Sequence, residues 1–115
     1  TIFMSQRRID SRPDIAQHLA DAFSKTLAYI NSNSAEELAK IIPAIIRSKY
    51  GDSYVDILRA QMPMYASNGL MPPEAAVGES KAFGLLNPNY RDIQPALTYT
   101  NQFASESLRR ISHKA

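Results

Sequence analysis

The sequence has no cysteine, no tryptophan, only four glycines in 115 residues, and no apolar run near the ~20 residues that cross a bilayer as a helix. Lack of cysteine removes disulfides, zinc-thiolate sites and thiol nucleophiles together. Gly51, Gly69, Gly78 and Gly84 never adopt the spacing that cradles phosphates, so nucleotide binding has no support. Charge of one sign is also scarce: 13 Lys plus Arg face 11 Asp plus Glu, for a net charge of +2. The basic residues are scattered apart from the pairs Arg7-Arg8 and Arg109-Arg110, and without a basic stripe to neutralise a phosphate backbone no nucleic-acid partner is expected. No basic-then-apolar leader opens the chain. Either the protein is cytosolic or its beginning is missing, and Thr1-Ile2-Phe3-Met4, which reads as the inside of a β-strand without a turn or cap before it, favours the second.

What is present is 44% apolar residues, enough for one modest core, and the chain reads as a single segment, 1–115. Ser11-Arg12-Pro13-Asp14 has the spacing of a capping box, and Ile15, Leu19, Ala22, Phe23, Leu27 and Ile30 then recur at helical intervals. Phe23, with Leu19 and Leu27, is expected at the centre of the core. Ser34-Ala35-Glu36-Glu37 repeats the capping signal, and Pro43 should stop or bend the helix it opens. Pro63 should loosen the end of a third helix, closed by Ser67-Asn68-Gly69, and Pro72-Pro73-Glu74 opens a fourth. The pattern predicts a mainly α segment of about five helices, near 12–31, 35–47, 53–66, 73–83 and 100–111, plus one N-terminal strand over Thr1 to Gln6.

Few residues have the arrangement that chemistry needs. Asp14 and His18 lie one helical turn apart as an ordinary surface pair, while Ser24 faces elsewhere, so no triad forms on that helix. His113, far from His18, does not make a metal site with it. Glu36 and Glu37 are accounted for by the first turn of a helix, where the dipole favours carboxylates. Tyr29, Tyr50, Tyr54, Tyr65, Tyr90 and Tyr99 read as packing residues at core edges. No catalytic residue, metal ligand or cofactor is assigned, ligand-binding residues are unknown from the sequence, and the protein is expected not to be an enzyme.

Several segments taken in order carry a resemblance. They are Ser11 to Asp14 followed by Ala22-Phe23-Ser24-Lys25-Thr26-Leu27-Ala28-Tyr29-Ile30, then Ser34 to Ala39, Asn68 to Glu74, and Leu97-Thr98-Tyr99-Thr100-Asn101-Gln102-Phe103. Together they resemble the C-terminal segment of the nitrate/sulfonate/taurine family of ABC-transporter periplasmic solute-binding proteins. Pro63 and Ala44-Ile45-Ile46-Arg47 depart from that pattern, the latter standing where a more polar loop is expected. The resemblance implies a two-lobed α/β periplasmic binding protein fold of type II, of which this chain is the C-terminal part, mainly α. It implies an extracytoplasmic location, a small anionic solute bound between lobes, and an ABC permease as partner. It transfers no binding residue, because the shared motifs are packing and capping motifs. The competing expectation is a stand-alone helical interaction module without catalytic activity. A third expectation, a pyrimidine-forming enzyme of the same superfamily, would need a Cys-rich signature and His in a part outside this chain, and the sequence supplies nothing for it. A strand cut from a sheet and helices without their cover predict a homo-oligomer of the isolated segment, with Ile2, Phe3 and Met4 near the contact.

Overall fold

Helices account for all the regular structure that the computed structural model describes, over residues 2–113. Residues 2–5 carry none, and Ser5 then caps a short helix α1 (Gln6–Ser11), its Oγ accepting from the Arg8 amide at 3.3 Å. No strand lies among the described residues, so the expected N-terminal strand is not found over 2–6; Thr1 lies outside them. The capping box expected at Ser11 does not form either. Ser11 belongs to α1, where its hydroxyl donates to the Arg8 carbonyl, and Arg12 (φ −142°, ψ 62°) is the break. A residue before proline is pushed out of the helical region, whereas proline itself suits the first helical position. The long helix α2 (Pro13–Ser32) therefore begins at Pro13.

At Ser34 the local signal is fully realised. Its Oγ accepts from the Glu37 amide at 3.2 Å and the Glu37 carboxylate accepts from the Ser34 amide at 2.8 Å, opening α3 (Ala35–Ile41). Ile42, extended before Pro43, ends α3, and α4 (Ala44–Arg47) is a single turn beyond it. A 3-10 turn at Gly51–Ser53 leads into α5 (Tyr54–Gln61), which tightens to a 3-10 turn at Met62–Met64 where Pro63 removes a donor. Gly69 then takes φ +69°, open to glycine at little cost, and a Cβ there would lie 3.2 Å from Leu27 Cδ1.

α6 (Pro73–Leu86) runs past Gly84 instead of ending there. Gly84 serves a close approach: a Cβ on it would meet the Arg91 backbone at 3.3 Å, where α6 packs on the turn Pro88–Tyr90. A further turn at Pro95–Leu97 also lies against α6, and α7 (Gln102–Ser112) closes the chain by packing along α2.

The core is thin. Its buried apolar residues are Ala16, Ala35, Leu38, Ala39 and Ala76, small side chains apart from Leu38. Phe23, expected at the centre, is 49% exposed and Leu19 37%. The radius of gyration is 17.2 Å, against about 13 Å for a compact chain of this length. The accessible surface of 8768 Å² exceeds by about 2,500 Å² the ~6,300 Å² of a folded monomer of this mass.

Candidate functional site

The most organised polar cluster lies between α2 and α7. At 100° per residue, Gln17, Asp21 and Ser24 fall on one side of α2, away from the stripe of Leu19, Phe23 and Ile30. That polar side is the one α7 covers. Ser107, 1% exposed, donates from its hydroxyl to Asp21 Oδ1 at 2.6 Å and also lies 2.9 Å from the Phe103 carbonyl. One hydroxyl has one proton, and the charged, nearer carboxylate is the stronger acceptor. The Gln17 amide nitrogen shares its two N–H bonds among Asp21 Oδ1 (3.0 Å), the Phe103 carbonyl (3.1 Å) and Ser107 Oγ (3.0 Å). Arg110 bridges the helices, donating to Asp21 Oδ2 at 3.0 Å and to Glu106 Oε1 at 2.9 Å, while Arg109 donates to the other Glu106 oxygen.

The electrostatics follow the bonding. The Ser107 hydroxyl holds the Asp21 carboxyl below its ordinary range, with burial opposing and Gln17 and Arg110 assisting. Glu106 does most to raise the Arg110 guanidinium above its usual value. Two carboxylates and two guanidiniums balance, and each carboxylate oxygen already has a donor. Two open hollows flank the cluster, one of about 440 Å³ lined by Gln17, Gln102, Ser105, Glu106 and Arg109, the other of about 200 Å³ lined by Asp21, Lys25, Ser107, Arg110 and Ile111. Asp21, the carboxylate beside Ser107, takes donors on both oxygens and is held below its ordinary range, so the cluster is bonded as a clasp between α2 and α7.

A second clasp ties the loop before α6 to the start of α7. Asn101 Oδ1 accepts from the Met71 amide at 2.9 Å and Asn101 Nδ2 donates to the Met71 carbonyl at 3.0 Å, as two paired backbones do in a sheet. No family model, curated protein or solved structure matches this chain.

The structure does not join the residues weighed for chemistry. Asp14 is engaged by Arg12, whose guanidinium first and foremost holds its carboxyl at about 2, while His18 is exposed. Ser24 is buried, and His113 sits exposed at the C-cap of α7. Glu37 completes the capping box and Glu36 pairs with Arg59 of α5, a long-range partner that spacing could not reveal. Among the tyrosines, Tyr50 and Tyr54 have ring centroids 5.9 Å apart and Tyr90 meets Phe83 edge-on at 6.4 Å. No cluster of His, Asp and Glu suited to a metal occurs among the described residues, and none of their helices is long and apolar enough to cross a membrane.

Proposed function

We infer that this chain is the C-terminal, mainly helical part of an extracytoplasmic solute-binding protein that delivers a small anionic solute to an ABC importer, and that it has no catalytic activity. The observation that carries this reading is the inverted use of α2: its polar side is clasped to α7, while Leu19 and Phe23 on its apolar stripe stand partly open. A helix built to lie on a sheet has this division, one face against a neighbouring helix and the apolar face against strands. The ordered run of segments from Ser11 to Phe103 supplies the family resemblance. The solute would be held between lobes, and the guanidiniums of the Asp21–Arg110 cluster are each already paired with a carboxylate.

Calorimetry of the chain with nitrate, taurine and small sulfonates is expected to give no binding heat, because closure of two lobes is what creates affinity in such proteins. Micromolar binding would put the solute site inside this segment and refute the division. The second reading, a stand-alone helical interaction module, draws on the uncovered residues 43–53. The natural reading frame separates the two, since strands alternating with helices upstream favour the binding protein and a Met close to Thr1 favours the module.

A further inference from the structure

Beyond α3 the chain makes an excursion in which every residue from 43 to 53 is exposed. It carries Ile45 (74% exposed), Ile46 and Tyr50, and Ile41 stands open just before it. The charge is one-sided: Lys40, Arg47 and Lys49 lie within it or at its edge, and no acidic residue occurs between Glu37 and Asp52. Both flanks are anchored, by the Ser34 capping box and the Glu36–Arg59 pair on one side and by the contact of Tyr50 with Tyr54 on the other. The excursion is thus held out from the fold, apolar at its tip and basic around it.

We propose that residues 40–50 form a contact for an anionic lipid surface, with Ile45 and Ile46 entering the interface and Lys40, Arg47 and Lys49 facing the headgroups. Charge complementarity selects this occupant. A second copy meeting the same patch across a two-fold axis would set three cations against three cations. A nucleic acid would satisfy the cations and leave the isoleucines in water. An anionic bilayer satisfies both, each basic side chain near it strengthening partition roughly fivefold. The contact is interfacial, because a single turn such as α4 is far too short to span a membrane. This inference stands apart from the solute-binding reading and requires only the exposed segment.

The test is sedimentation of the whole chain with vesicles of equimolar phosphatidylglycerol and phosphatidylcholine, or of phosphatidylcholine alone. Binding is expected to the anionic vesicles at least tenfold above the neutral ones and to fall sharply at about 0.5 M salt. Replacing Lys40, Arg47 and Lys49 together by Gln should lower it roughly a hundredfold, and Ile45→Glu should reduce it to the neutral-vesicle level. Both variants should leave helical circular dichroism and sedimenting mass unchanged, since every altered side chain is exposed. Leu97→Glu is the control: Leu97 is 79% exposed but has no charged residue between Asp92 and Glu106 in sequence, and this variant should bind within about twofold of the parent. Equal binding to both vesicle types, no binding, or an equal loss with Leu97→Glu would overturn the proposal. So would a change from dimer to monomer with Ile45→Glu, which would assign the patch to a second copy.

Discussion

Ser107 has two duties that a serine in a helix usually does not combine. It is buried between α2 and α7, and its proton stabilises the charged form of Asp21. Ser107→Ala keeps the packing and removes the proton, which should cost about 1–2 kcal/mol in urea unfolding, toward the low end for a bond to a charged group because Asp21 is partly open to water. The pH dependence has a definite sign. Because the folded carboxyl is held below its unfolded range, the stabilisation from Asp21 is fully present above about pH 4 and is lost as pH falls through the folded value. Melting temperatures of parent and Ser107→Ala should therefore differ near neutrality and converge in acid, and parallel curves would contradict the role given to Ser107. The sequence allowed this site only in halves. It placed Asp21 off the apolar stripe, but its partner lies 86 residues away, and no spacing rule acts over that distance.

At the scale of elements, what was legible depended on whether the deciding force was local. The break at Pro43 and the box at Ser34 are settled within one turn of chain and each is found as expected, whereas at Pro63 the helix end expected to loosen tightens into the 3-10 turn Met62–Met64. Ser11 offered a similar spacing, Ser-x-x-Asp, and failed because it belongs to α1, and the helix at Gln6–Ser11 was hidden by strand-like residues just before it. Gly84, just past the expected helix end at 83, lies inside α6 as a contact made with Arg91, again a partner that only folding brings near. The apolar period of α2 was read correctly, but periodicity reports a face and not what covers it. Replacement of Phe23 measures that difference. A fully buried Phe loses about 3–5 kcal/mol on truncation to Ala, whereas a ring half in water should lose about 1–2 kcal/mol. Ser34→Ala, at a formed cap, should cost about 1 kcal/mol, so the two variants should melt within a few degrees of each other. A far lower melting temperature for Phe23→Ala would mean that the ring is covered in solution.

For the whole molecule the excess of surface is the dominant fact. About 2,500 Å² beyond the expectation for a compact monomer is more than the ~1,600 Å² of a standard protein interface, and part of it is the apolar stripe of α2. The isolated chain should therefore self-associate at micromolar concentration, seen as a rising mean mass in sedimentation. Phe23→Glu should return it to monomer, while Ile2→Ser should not if the stripe and not the N-terminus forms the contact. A concentration-independent monomer would count against the open face. Within this loose body one seam stands out, the pairing of Asn101 with the Met71 backbone. It brings the entrance and exit of residues 72–100 to a single spot, so the chain leaves the loop after α5 at Met71 and returns to it at Asn101, where α7 begins. In engineering terms α6 and its two turns are a cassette plugged into a frame made of α1 to α5 and α7. Cutting out 72–100 and bridging Met71 to Asn101 with a short Gly-Ser link should leave the amide protons of α2 and α7 as slow to exchange as before, and the same junction should accept a foreign domain without parting the frame.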